Sequence, residues 1–434
     1  MPIQLSIERA LEITAVSQRL IPLGDAPGPG QSSLSAGTDA LASISSNPAP
    51  GSDDSPDGPL RDTVAAAGGI PATLNHVPHL CLFARRATYR PEDLIADQEG
   101  LRPTLARTAG PQTGITLAPL DTAPAFCRLA ATTGKLQSEH LVQSLLAPPA
   151  VELVEGVIKP QLDRTPQVWT AEEIRTLVRW IHEDLRSGAS TYLELRERAP
   201  EIAFRPVEKG SERAFYRETA LQQVLDALTQ KGDVLSTLVG GLNTSEGPFR
   251  YYLRTQLVPG PLPSAEEAYR QIAGLYTGAF APVGAKDLSS WSGLPETNCR
   301  RAIGGLPATL RTVEIPGLGD DYLVPETYLD RAALASPVCF ALPWLDPWLS
   351  AYRDMVRFLP DGPLGPLTSR DMVLVSIGPG IPARHSLAAR VRVVGSAREP
   401  RFVPEPWRTL AQHESKALEV ALERVTSLFR GDGT

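Results

Sequence analysis

The stretch "GGIPATLNHVPHLCLFARR", residues 68–86, brings together residue types that can bind metals or move protons. His76 and His79 stand three apart, so on a helix they share one face, and Cys81 follows two residues later. Zinc takes three or four Cys, His or carboxylate ligands at tetrahedral geometry. Cys81 lies well round a helix from the two imidazoles, and no second Cys/His cluster in the sequence completes a set. No metal is expected here. The histidines read as packing or edge residues at the start of a helix that leads into Arg85 and Arg86.

Two further groups of residues have chemistry suited to nucleic acid. "PETNCRRAIGGL" offers Thr297, Asn298, Arg300 and Arg301 near the start of a short helix, and Arg and Asn suit phosphates and base edges. "RHSLAARVRVVGSAREPRFVPEPWR", residues 384–408, carries Arg384, Arg390, Arg392, Arg398, Arg401 and Arg408 against Glu399 and Glu405, a net +4. Arg390 and Arg392 are two apart and point to one face of a strand, where they can track phosphates or simply face solvent. No GxxxxGK[ST], GxSxG or strand-linked GxGxxG occurs, so no nucleotide cofactor is expected.

These residues need elements to hold them. "LSIERALEITAVSQRL" (5–20) has a helical apolar stripe. Residues 74–86 and 91–97 read as short helices, and 102–120 as a hairpin around a Gly-Pro turn. "TAEEIRTLVRWIHEDLRSG" (170–188) is a strong helix, with Thr170 and Glu173 forming a capping box and Gly188 ending it; His182 reads as a partly exposed helical residue. Two more helices and a strand pair follow. That order, three helices then a hairpin, recurs at 264–315 with Ser264 and Glu267 as a capping box, Gly293 at the turn and Pro295 in the first turn of the third helix. It is the order of a winged helix-turn-helix. "DMVLVSIG", "LAARVRVVGSA" and "RFVPEPW" read as strands, and "AQHESKALEVALERVTSLFRG" as a closing helix.

The expected fold is therefore α+β, mainly α: tandem winged helix-turn-helix domains followed by a small β-barrel-like C-terminal domain. The expected domains are 1–165, a winged-helix-like subdomain with a disordered insertion at 22–60; 166–260; 261–335; and 336–434, β-rich with a terminal helix. The insertion is rich in Pro, Gly, Ser and Asp and cannot bury enough apolar surface to offset its ordering entropy.

A length of 434 residues fits several domains. The formal net charge of -7 at first argues against a nucleic-acid partner. Residues 1–60 hold two basic and seven acidic residues, however, so most of the excess sits there and the remainder is near neutral. Binding then depends on local patches. Four widely spaced cysteines make no disulfide framework, and a reducing cytoplasm is the expected location. No apolar run approaches the length of a membrane span. A monomer is expected.

In collinear order the chain resembles the winged-helix DNA glycosylase family typified by AlkZ and YcaQ, which excises alkylated or crosslinked bases. The likeness is carried by the opening helix, by "GGIPATLNHVPHLCLFARRATYRPEDL" with "LARTAGPQTGITLAPLD", by "YYLRTQLVPGPLPSAEEAYRQIAGLYTGAFAPVGAKDLSSWSGL" and by "LPWLDPWLSAYRDMVRFL". The resemblance implies double-stranded DNA as partner, tandem winged helices and a catalytic Gln-x-Gln or Gln-x-Asp motif. By position that motif falls on Pro71-Ala72-Thr73, where both polar side chains are replaced. Thr73 and the nearby Asn75 become the catalytic candidates, and base excision is expected to be weak, altered or lost. Two alternatives stay open: a non-enzymatic winged-helix DNA-binding or regulatory protein, and a scaffold whose winged helices pack on protein.

Overall fold

The computed structural model describes residues 3–20, 59–72, 74, 76–100, 102–111, 114–133, 171–204, 220–239, 249–307, 309–353, 371–395 and 400–430. Thr73 and Asn75 lie outside the described residues, as does the expected insertion up to residue 58; Leu60 already opens a helix. The chain begins with β1 (Ile3–Gln4) and α1 (Ile7–Ser17), whose start is capped by the Ser6 hydroxyl accepting the Arg9 N–H at 3.1 Å. Next come α2 (Leu60–Ala66), β2 (Ile70–Pro71), α3 (His76–Phe83), α4 (Pro91–Glu99), β3 (Leu105–Ala109), β4 (Ile115–Pro119) and α5 (Ala123–Thr133). After them run α6 (Ala171–Ser187), β5 (Ser190–Thr191), α7 (Tyr192–Arg198), α8 (Ala220–Lys231), β6 (Val234–Leu238) and β7 (Phe249–Leu253). α9 (Ala265–Phe280), α10 (Ala285–Ser292), α11 (Glu296–Gly304), β8 (Leu310–Ile315) and β9 (Gly319–Pro325) follow. The chain then forms β10 (Val338–Pro343), β11 (Met372–Ile377), β12 (Leu387–Gly395), β13 (Pro400–Pro406) and α12 (Gln412–Arg430).

One wiring pattern occurs three times. A helix leads into a very short extended segment, one or more helices follow, and a hairpin closes the unit with its last strand paired to that short segment. β2 pairs antiparallel with β4, and β5 with β7. In the third unit a single residue does the same: Val283, between α9 and α10, bridges Leu323 of β9. The first two units share a six-stranded sheet of order β2-β4-β3-β6-β7-β5. Its two halves meet where Arg107 of β3 faces Ser236 of β6. The third unit has its own sheet, β1-β8-β9, in which β1 lies parallel to β8. Pairing therefore runs across residue 165, and residues 3–4 sit on a hairpin more than 300 positions away.

The C-terminal sheet has the order β10-β11-β12-β13 and is open: among the described residues no sheet closes into a barrel. The reason lies in how it is covered. Along β10 and β11, Cys339, Ala341, Met372 and Leu374 join the core beneath α12, together with Ala417, Leu418 and Ala421. The alternate residues Phe340, Leu342, Val373 and Val375 join a second core with Leu11 of α1 and Tyr276 and Phe280 of α9. A sheet packed on both faces has no interior to enclose, and its central strand is apolar at nearly every position. β13 forms the edge, where Pro400, Pro404 and Pro406 suit a strand with one unpaired side.

Candidate functional site

Pro71 and Ala72, where the sequence resemblance leads one to expect the catalytic motif, are delivered by two consecutive glycines. Gly68 and Gly69 have φ of 71° and 89°, in the left-handed region that L-residues avoid. A Cβ on Gly68 would stand 2.6 Å from the Phe280 ring of α9, and one on Gly69 would stand 2.9 Å from Thr116 Oγ1. The turn thus folds α2 back into β2 while pressed against α9. Thr116 Oγ1 donates to the Ile70 carbonyl at 3.0 Å, and the Ala72 N–H donates to the Ile115 carbonyl at 2.8 Å. Residues 70 and 72 face β4 with their amides, so the position of Pro71 turns its missing donor off the sheet edge and costs no ladder bond.

On the other side of the segment stands Arg107. Its Nε donates to the Ala72 carbonyl at 2.9 Å and its Nη1 to Ser236 Oγ at 2.8 Å. The guanidinium carbon lies 3.4 Å from the centroid of the Phe249 ring, a cation–π contact made in a dry setting. Burial lowers the Arg107 guanidinium below its usual range, opposed by Tyr251 and Asp226.

Behind the segment, α3 places its titratable residues in the core. His79 is fully buried, with Nδ1 2.7 Å from the Tyr89 hydroxyl. Cys81 is buried too, and burial pushes its thiol well above the ordinary value. Among the described residues no three His, Cys, Asp or Glu side chains stand together as a metal cluster. Arg85 is likewise buried. Its Nη1 and Nη2 bond Asp346 at 2.6 and 2.8 Å, and Nη2 also donates to Gln18 Oε1 at 2.6 Å. Sequence reasoning passed over Arg107 and the Arg85–Asp346 pair. A basic residue inside an apolar strand, as in "LARTA", was the available signal.

Burial holds the His79 pKa down to about 4, with the neighbouring His76 charge adding to the effect. The unfolded imidazole titrates near 6.5, so between these values the unfolded chain binds the extra proton. The stability that neutral His79 permits is complete above pH ~6.5 and is lost as pH falls to about 4, a difference of about 3 kcal/mol. Urea unfolding at pH 7.5 and pH 4 should show it. His79→Asn keeps a hydrogen-bonding group near Tyr89 without titrating, and should be flatter by that amount. An equal pH dependence in both proteins would remove His79 as the source.

The residues expected to meet DNA fall in two places. On α11, Thr297, Arg300 and Arg301 are exposed and Asn298 is half-buried. Arg300 pairs with Glu296 at 2.6 Å and reaches Asp321 of the hairpin at 3.6 Å, while Arg301 Nη2 donates to Asn298 Oδ1 at 3.1 Å. Asn298 and Arg301 line a shallow cleft of about 50 Å³ with Tyr269 and Arg270 of α9. Arg270 was not singled out in the sequence, because nothing local relates it to α11. On the C-terminal sheet, Arg390 is largely buried against Asp371 at 2.7 Å and also approaches Glu405 at 3.7 Å. Arg392 is exposed and pairs with Glu405, and Arg384 is exposed in a short turn. The structure does not bring the α11 group and the β12 group into one cluster of contacts.

This architecture of helical units with small sheets is shared with a DNA glycosylase family. The model of the AlkZ-like DNA glycosylases matches residues 64–428, and the chain belongs to that family. Among solved structures it is similar to the Streptomyces sahachiroi DNA glycosylase AlkZ, with a TM-score of 0.60 and 16% identity over 98% of this chain and 97% of that one. No curated protein matches the chain. No helix among the described residues is long and apolar enough to cross a membrane.

Proposed function

We propose that the chain is a DNA glycosylase-like protein that engages double-stranded DNA through tandem winged helices, with base excision weakened, altered or lost. Membership of the AlkZ-like family over residues 64–428 carries this reading. The three-fold wiring supports its winged-helix part: in each unit the segment after the first helix pairs with the last hairpin strand, as in a three-stranded wing. On this reading α11 of the third unit is the helix that enters a groove.

The chemistry sets the demand on the motif. Breaking an N-glycosidic bond passes through a cation-like sugar, and an amide or carboxylate at the site orients the attacking water and stabilises that charge. Proline offers no side-chain donor or acceptor. Thr73 carries a hydroxyl that can hold a water but bears no charge, and Asn75 supplies an amide two residues on. A cationic, alkylated base leaves readily and needs less help. Residual excision would therefore be confined to such bases.

The experiment is excision and binding on one duplex carrying a single N7-alkylated guanine and its undamaged counterpart. Base release slower than that of Gln-containing relatives supports the reading, and release at their rate overturns the assignment of a weakened motif. Salt-dependent binding with no release at all favours the non-enzymatic DNA-binding reading, whose support is Pro71 itself. In the same assay, Arg300→Ala/Arg301→Ala is expected to weaken duplex binding roughly tenfold and to reduce the salt slope by about 2. Unchanged affinity would move the interface elsewhere. Arg390→Ala is expected to act on stability instead, because it strips the buried Asp371 of its partner.

A further inference from the structure

A guanidinium buried with no carboxylate in direct contact is a costly way to pack a sheet. Arg107 is 1% exposed, and among the described residues it makes no ion pair. A methionine or leucine would fill the same space with less desolvation. What hydrocarbon cannot replace is the pair of directed N–H bonds. One goes to the Ala72 carbonyl, in the middle of the motif segment, and the other to Ser236, across the pair of residues that joins the two halves of the six-stranded sheet. Phe249 closes over the guanidinium plane and restricts its rotation.

We infer that Arg107 is the positioning residue of the segment at Pro71 and Ala72: it fixes the Ala72 carbonyl and ties it to the second half of the sheet. Residue 72 is held from both sides, by Ile115 at its N–H and by Arg107 at its carbonyl. The two bonds hold the two peptide planes that flank the Ala72 Cα, one through its N–H and the other through its carbonyl, and so fix the φ and ψ of residue 72. Positional precision of this kind is what a group aimed at a reacting sugar requires, since small displacements lower rates steeply. The inference rests on the reading that segment 71–73 faces the damaged nucleotide.

The test uses the full chain with Arg107→Met, Arg107→Lys and Ser236→Ala. Two quantities are read: hydrogen exchange at the Ala72 amide, with the β11 amides as an internal reference, and the ratio of affinities for a duplex holding one tetrahydrofuran abasic-site analogue and the same duplex undamaged. Arg107→Met is expected to speed Ala72 exchange at least tenfold, with β11 within twofold. It is also expected to lower the affinity ratio at least fivefold, with undamaged-duplex binding within twofold. Arg107→Lys should recover part of both, and Ser236→Ala should raise Ala72 exchange two- to fivefold. Unchanged Ala72 exchange in the Met variant, or equal acceleration in β11, overturns the inference. If Arg107→Met does not fold, unchanged exchange in both the Lys and the Ser236→Ala variants overturns it. A wild-type protein with no preference for the abasic-site duplex counts against the glycosylase reading instead, and the exchange measurement then decides the role of Arg107 alone.

Discussion

Asp346→Ala is expected to destabilise the protein by roughly 3–5 kcal/mol, among the largest losses available to a single side chain. Both members of the Arg85–Asp346 pair have fully buried side chains, and both carboxylate oxygens are used, at 2.6 and 2.8 Å. Asp346 Oδ1 also accepts the Trp348 N–H at 2.9 Å, and Arg85 Nη1 donates to the Cys81 carbonyl at 3.0 Å. Truncating the acid leaves a guanidinium in the core with only neutral acceptors, the Gln18 amide and one carbonyl. The contrast comes from removing both charges. Arg85→Met/Asp346→Leu should recover at least half of the loss, because the desolvation cost disappears along with the attraction. Urea unfolding of the three proteins decides this. A loss under about 1 kcal/mol for Asp346→Ala would show that water reaches the arginine.

Pro71→Gln/Thr73→Gln is expected to raise excision of N7-alkylated guanine from duplex DNA on the order of 100-fold, the scale of a well-placed acid–base group. The backbone is ready for the first change. Position 71 turns its amide off the edge of the sheet, so a glutamine there gains an outward N–H without disturbing the bonds at residues 70 and 72. Arg107 and Ile115 hold residue 72 between the two new side chains. Each single variant should gain less than the pair, since water and sugar must be addressed together. A double variant that folds and binds DNA with no rise in base release would show that the motif does not limit excision in this chain.

The elements legible in the sequence are those whose signals are local. Ser264 caps α9 by accepting the Glu267 N–H, Gly293 ends α10 with φ of 75°, and α11 starts directly after Pro295. The hairpin of β3 and β4 and the long helices α6 and α12 were readable for the same reason. β1, β2 and β5 are two residues long, too short for an alternating pattern to register, and their existence depends on partners far away in sequence. β10 was hidden because "VCFALP" carries an apolar run without alternation, being buried on both faces. The expected barrel failed on that same covering. At the candidate site, the interest in position 71 came from the resemblance to the family motif. The groups that hold it were not: Arg107 meets Ala72 across 35 positions, and Arg85 meets Asp346 across 261. Arg390 shows the converse. Its strand face was read correctly as shared with Arg392, yet the neighbouring carboxylates that occupy it come from β13 and from the residue just before β11.

The separation between Arg85 and Asp346 also sets a clock for synthesis. A ribosome adding about 5–20 residues per second needs on the order of 10–50 seconds to travel 261 positions. Throughout that interval the turn after α3 exists with its arginine and without the acid that neutralises it. The Arg85 side chain therefore cannot reach its final burial while the nascent chain ends before Asp346, and that part of the first unit waits, solvated, for about the last fifth of the protein. Completion of the Arg85–Asp346 pair is in this way a late event of folding, and a chain truncated before residue 346 would carry Pro71 and Ala72 with an unneutralised arginine behind them.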